Sequence, residues 1–232
     1  MKNIIIAGAG KGIGLEIAKL LAPEFNLITI SRNLTDDLKN LNTQFYKLTL
    51  SKETVFEIID LPDEIHGLIY CPGSINLKPI TRLSISDFEK DFDQNVLGAV
   101  GIIKYVLPNL KKSKDASIVL FSTVAVKLGM AFHASVAASK GAIEGLTKSL
   151  AAELAGSRIR VNAIAPSLIK TSMSEFLLNT EEKRNNSAKM HPLQRIGNPQ
   201  EIAKLAEYLI SENSSWITGQ IIGIDGGLGS LK

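Results

Sequence analysis

The sequence predicts an α/β fold, a seven-stranded parallel doubly wound sheet with helices on both faces. Three observations carry that prediction. Short apolar runs alternate with segments of helical periodicity along the 232 residues. The runs are continuously apolar rather than alternating, as strands covered on both faces must be. A glycine cluster follows the first run directly and opens the first helix.

Asn3 to Ala7 is the first strand, and the spacing over Gly12 to Leu21 predicts the first helix. Leu27 to Ser31 is strand two. The polar stretch through Asp36 and Asp37 has weak helical character, so the crossover to strand three, Gln44 to Leu50, is expected to be stunted. Lys52 to Ile59 reads as a helix and Gly67 to Cys71 as strand four. A Ser-x-x-Asp cap at Ser84 starts a long amphipathic helix that the pattern carries to Val106. Ser117 to Phe121 is strand five, Ala134 to Leu154 a helix rich in small residues, and Arg160 to Ile164 strand six. Pro199 in a first turn opens a helix to Ile210. Gln220 to Ile224 closes the sheet. No repeat or linker divides the chain, so residues 1–232 are expected to form one domain. The stretch 166–198 shows no pattern and is expected to be a mobile substrate lid, since loops of that length in compact domains are usually functional.

With 45% hydrophobic and 21% charged residues the composition is that of a globular protein. The 26 basic and 23 acidic residues are scattered, and the net charge of +3 gives no basic block for nucleic acid or an anionic membrane. A small-molecule partner is expected. The run at residues 3–7 is too short to span a bilayer. A lone cysteine, Cys71, excludes an intramolecular disulfide, and no cysteine and histidine cluster has metal-ligand spacing. No metal site is expected, and the cytoplasm is the expected compartment.

Ala7-Gly8-Ala9-Gly10-Lys11-Gly12-Ile13-Gly14 lies between strand one and helix one. Bare glycines there let a pyrophosphate approach the backbone and the helix N-terminus, which predicts a Rossmann-type dinucleotide-binding domain. Strand two ends Ser31-Arg32-Asn33, without the acidic residue that accepts from ribose hydroxyls. Arg32 and Lys11 instead offer two cations to a 2′-phosphate, so NADP(H) is expected over NAD(H).

Several longer segments point the same way: the GxxxGxG turn, Asn95 in Asp-Gln-Asn-Val-Leu-Gly, the segment 139–151 from Ser139 to Ala151, Arg-Val-Asn-Ala-Ile-Ala-Pro at 160–166, and 217–227. Through them nearly the whole chain resembles the short-chain dehydrogenase/reductases, and among them the 3-oxoacyl-carrier-protein reductases. The resemblance implies a reaction between a carbonyl and an alcohol. It implies a substrate-orienting hydroxyl at Thr123, with Ser122 its neighbour, a water-supporting Asn95, and a Lys140 that holds the nicotinamide ribose and depresses a tyrosine pKa. It implies cofactor contacts at Gly8, Gly10, Lys11, Gly12, Ile13, Gly14 and Arg32, and further ones at Gly73, Lys140, Pro166, Ile169 and Thr171. Family members usually assemble as tetramers or dimers, so a homo-oligomer is expected.

The tyrosine position of that family's YxxxK motif is Val136 here, and valine has no proton to give. None of the four tyrosines, Tyr46, Tyr70, Tyr105 and Tyr208, falls on the same helix. His133, a good acid by intrinsic pKa, and a desolvated Lys140 are the substitutes the sequence offers. Ser135 reads as a helix N-cap and Ser139 as a packing residue. Other departures are Tyr70-Cys71-Pro72-Gly73 for Asn-Asn-Ala-Gly, Pro166-Ser167 for Pro-Gly, and Thr49 for an aspartate. His191, in the segment after the lid, is either a substrate contact or part of a turn. The expected activity is that of an NADP(H)-dependent oxidoreductase with an atypical site. The alternative is a non-catalytic nucleotide-binding sensor or scaffold subunit.

Overall fold

The computed structural model describes residues 1–231. Seven strands form one parallel sheet: β1 Asn3–Ala7, β2 Asn26–Ser31, β3 Thr43–Lys47, β4 Gly67–Tyr70, β5 Ala116–Phe121, β6 Ile159–Pro166 and β7 Ile221–Ile224. Their order is β3-β2-β1-β4-β5-β6-β7. The chain therefore reverses its direction of travel across the sheet between β1 and β4, the switch point where such folds open a crevice at the carboxyl ends of the strands. The helices are α1 Gly12–Leu21, α2 Asp36–Lys39, α3 Ile85–Phe92, α4 Gly98–Lys112, α5 Val124–Leu128, α6 Ala134–Leu154, α7 Glu181–Lys189 and α8 Pro199–Ile210.

Alternation of side chains along each strand divides the core in two. Ile5 joins Leu68, Ile102, Val106, Ile143 and Leu154 beneath α4 and α6. Ile4 and Ile6 join Ile17, Leu21, Ile202 and Leu209 beneath α1 and α8. Each fully buried isoleucine stabilises the fold by about 1.5–3 kcal/mol, which is why these strands carry no polar face.

The sheet, α1, α6 and α8 match the sequence reading, and four segments do not. Lys52 to Ile59 is irregular rather than helical. Thr54 Oγ1 bonds back to the Thr49 and Ser51 carbonyls, and the Lys52 N–H donates to Asp93 Oδ1 at 2.8 Å, so side chains compete for the groups a helix would use. Strand three ends at Lys47, not Leu50. The helix capped by Ser84 and Asp87 forms, but a π turn over Asp93–Leu97 interrupts it, and it resumes to Lys112. The stretch 166–198 contains a helix, α7, capped by Thr180. Its sequence, Glu-Glu-Lys-Arg-Asn-Asn-Ser-Ala-Lys, has no apolar stripe to betray it. The stretch is pinned at its base, where the Lys170 N–H donates to Gly197 O at 2.9 Å. Among the described residues no helix is long and apolar enough to cross a membrane.

The first turn depends on one close approach. A Cβ on Gly14 would lie 2.3 Å from the carbonyl oxygen of Gly8, a backbone atom that cannot give way. Gly14→Ala is therefore expected to cost about 2 kcal/mol or more in urea denaturation. Gly156→Ala, where a Cβ meets nothing within 4 Å, is expected to change stability by less than about 0.5 kcal/mol. Equal effects would show that the approach carries no weight.

Candidate active site

A cavity of about 570 Å³ opens at the switch point, lined by the glycine turn, the ends of β2, β4, β5 and β6, the start of α6 and the segment after α7. Gly8 turns the chain at φ +82°, and its N–H donates to Ile30 O at 2.7 Å, tying the turn to the end of β2. No side chain caps α1 at Lys11, so the unpaired N–H groups of its first turn are left to whatever enters the cleft. Thr171 closes over this turn, its Cβ 3.6 Å from where a Gly12 Cβ would stand. Lys11 and Arg32 are exposed at the mouth. Neither forms an ion pair among the described residues, whereas Asp36 and Asp37 just beyond are taken by Lys39 and Lys19. The Lys39 ammonium holds the Asp36 carboxyl below its ordinary value.

Deeper in, Lys140 is 7% exposed and its Nζ donates to Phe121 O at 2.8 Å. Burial lowers its pKa to about 8, and the nearby Cys71 and Asp91 oppose that shift. Burial pushes the Cys71 thiol the other way, to about 12, so it is inert as a thiolate. Gly73 separates Lys140 from Asn95. A Cβ on Gly73 would lie 3.5 Å from both Lys140 Nζ and Asn95 Oδ1.

Asn95 sits in the π turn, fully buried behind the cavity rather than on its wall. Its Nδ2 donates to Ser139 Oγ at 2.8 Å and approaches Ser74 Oγ at 3.4 Å; Ser74 in turn donates to the buried Asp91 Oδ1 at 2.5 Å. Asn95 Oδ1 and Asp91 Oδ2 have no partner in the protein. Neither Ser74 nor Asp91 stands in a motif that marks it in the sequence. Asp91 stands four residues before Asn95, but the π turn was not visible in the hydrophobic pattern.

Thr123 caps α5 by accepting from the Ala125 N–H at 3.3 Å, and it lines the cleft. Ser122 beside it is committed to Glu144 at 2.6 Å. Val136 lines the cleft one helical turn before Lys140, and none of the four tyrosines does. Tyr70, the tyrosine at the end of β4, is buried and donates to Gln94 O. His133 lines the cleft with Nδ1 on Ala131 O at 2.7 Å. It, not Ser135, is the residue preceding α6. Ser135 lies inside the first turn, its hydroxyl buried without a partner. Pro166, Ile169 and Thr171 line the cleft from the end of β6 onward, and Ser167 pairs with His191 there.

A glycine turn at the switch point of a parallel sheet, with a buried lysine under the same cleft, defines an NAD(P)-binding fold of the oxidoreductase kind. The sequence profile of the Enoyl-(Acyl carrier protein) reductase family matches residues 8–229. The 3-oxoacyl-[acyl-carrier-protein] reductase FabG of Thermotoga maritima is 33% identical, covering 98% of this chain and 97% of that protein. Among solved structures, ElxO with NADP bound superposes with a TM-score of 0.88 at 28% identity, over 98% of each chain. 4-Hydroxyisoleucine dehydrogenase complexed with NADH gives 0.90 at 30% identity over 100% of each. The chain belongs to the short-chain dehydrogenase/reductase family, as an oxidoreductase with an NAD(P)-binding fold.

A lysine whose pKa falls on folding destabilises the fold while charged. The cost is full below pH 8, shrinks between pH 8 and the ordinary 10.5, and vanishes above it. Lys140→Met is therefore expected to stabilise the protein at pH 7 by about 2–3 kcal/mol after the lost Phe121 bond is counted. In a thermal melt that is a rise of roughly 5–10 °C. The gain should disappear by pH 10.5; a constant difference across that range would contradict the buried charge.

Proposed function

We propose that the protein is an NADP(H)-dependent oxidoreductase acting on a small carbonyl or alcohol, with an active site that lacks the family's tyrosine. The single observation that carries this reading is Lys140, a charge kept under the cleft at a cost to stability and without an acidic partner, as a residue held for a ligand would be. Gly8, Gly10, Gly12, Ile13 and Gly14 would cradle the pyrophosphate. Lys11 and Arg32 would take the 2′-phosphate, and Gly73, Pro166, Ile169 and Thr171 with Lys140 would hold the nicotinamide end. The uncapped α1 and the free cations at the mouth suit those groups.

The bound nicotinamide would supply or accept a hydride. Thr123 would orient the substrate carbonyl through its hydroxyl, and Lys140 would stabilise negative charge developing near the ribose. Asn95 would anchor a water between itself and Lys140, since its Oδ1 is otherwise orphaned. Val136 excludes water but moves no proton. In this reading residues 1–232 are one domain and 166–198 the substrate lid, and the protein works in the cytoplasm as a homo-oligomer. A non-catalytic sensor or scaffold is the second reading, favoured by the absence of any tyrosine from the cleft.

Arg32→Ala is expected to weaken NADPH binding by about 1–2 kcal/mol, roughly 5–30-fold, and to leave NADH affinity unchanged. Fluorescence titration reads both, and equal losses would remove the 2′-phosphate assignment. Turnover of aliphatic and cyclic ketones with NADPH tests the chemistry. An inactive wild type that binds NADPH and gains turnover on Val136→Tyr would establish the second reading.

A further inference from the structure

We propose that Ser167 and His191 form the proton relay of this site, with Ser167 Oγ exchanging the proton with the substrate oxygen and His191 Nε2 holding it behind. The inference rests on the oxidoreductase reading above and deepens it. Ser167 Oγ lies 2.9 Å from His191 Nε2, and His191 Nδ1 lies 2.8 Å from the carbonyl oxygen of Ser187. A carbonyl can only accept, so Nδ1 carries a hydrogen whatever the charge of the ring. In neutral His191 the other nitrogen is then an acceptor, and Ser167 donates to it.

The ring is 2% exposed. It is held between the last turn of α7 and the backbone at Gly226, where a Cβ would touch its Cβ and Cδ2 at 3.5 and 3.6 Å. Ser167 is half-buried and faces the same cavity as Thr123, Val136 and Lys140. This is the one hydroxyl–imidazole hydrogen bond among the described residues. Of the neighbouring serines, Ser122 is committed to Glu144, Ser139 to the Val136 carbonyl and Ser174 to the Ile169 carbonyl, while Thr123 Oγ1 accepts from the Ala125 N–H and has no imidazole behind it to resupply a proton. Where the family resemblance expects glycine after Pro166, this chain places the serine, so the hydroxyl of the pair is a departure from the family's pattern.

The hydrogen bond can reverse. With His191 protonated, Nε2–H donates to Ser167 Oγ and the serine proton turns to the cleft. In reduction, bound reduced nicotinamide would supply the hydride that forms the new C–H bond at the carbonyl carbon, and the π electron pair would move onto oxygen. That oxygen takes the proton of Ser167, Ser167 takes the Nε2 proton of His191, and solvent later reprotonates the neutral ring. Alcohol oxidation runs the same path backwards, with neutral His191 as the base.

The test uses the full chain, NADPH and a panel of aliphatic and cyclic ketones. Ser167→Ala is expected to lower kcat by about 10²-fold or more while NADPH affinity, read by fluorescence, stays unchanged. Ser167→Thr should retain activity, and Ser167→Ala combined with Val136→Tyr should recover it, because a tyrosine supplies the missing proton while a merely structural loss would persist. Imidazole ¹⁵N NMR of the wild type should show the Nδ1–H tautomer, with the Nε2 signal shifting in Ser167→Ala. Turnover unaffected by Ser167→Ala, or an Nε2–H tautomer, overturns the relay alone. A wild type that binds NADPH but reduces no ketone overturns the relay and the oxidoreductase reading together.

Discussion

The contact between Gly14 and the Gly8 carbonyl sets the geometry on which the rest of the site depends. With no Cβ at position 14, α1 packs down onto the sheet until its first turn touches the backbone leaving β1. The bond from the Gly8 N–H to Ile30 O then fixes that turn against β2. One consequence is electrostatic. The N-terminus of α1 is left without a side-chain cap at the reversal of strand order, where its partial positive charge adds to those of Lys11 and Arg32. No side chain of the protein caps those donors, and a helix N-terminus open to a cleft is suited to an anion.

The second constraint is the charge of Lys140. Burial weakens its hold on the proton, yet the protein gives it a carbonyl, not a carboxylate, as its direct partner. Asp91 lies near enough to favour the charge but spends one oxygen on Ser74 and leaves the other orphaned. The π turn at Asp93–Leu97 belongs to the same arrangement, since one extra residue per turn swings Asn95 inward to meet Ser139 and leaves its Oδ1 across Gly73 from the ammonium. Unpaired acceptors beside a buried cation are what a water-linked proton path requires.

What depends on periodicity and bare glycine is legible in the sequence. The limits of β1, α1, α6 and α8 agree with the pattern because β1 is a continuous apolar run bounded by a glycine turn and the helices bury residues at a spacing of 3.6. Ser84 was legible as a cap because its hydroxyl and the Asp87 carboxylate act locally. What escaped depends on distant partners or lacks an apolar stripe. Lys52 to Ile59 has helical spacing, but Thr54 and Asp93 take its backbone groups. Helix α7 is polar all round. At the site, Thr123, Lys140, Val136 and the glycine turn stand in sequence motifs and line one cleft. The Asp91–Ser74–Asn95 chain and the Ser167–His191 pair stand in none, because contacts across 17 to 24 residues of sequence leave no local signature.

In the function proposed above, a valine at the tyrosine position would remove one contribution to catalysis and leave the others in place. General acid help is worth about 10²–10⁴-fold, whereas holding two reactants in contact can be worth effective molarities of 10⁵–10⁸ M. The second depends on the turn at Gly8, on Thr123 and on the walls of the cleft, none of which needs a phenol. A site with these features and no acid would still bring hydride and carbonyl together, and would lack only a proton at the moment of transfer. Because the deficit is a proton and not a pocket, a replacement need only carry one and reach the substrate oxygen. Position on α6 is not required. The end of β6 lines the cleft together with the start of α6, so the sheet itself offers a second place from which that proton can come.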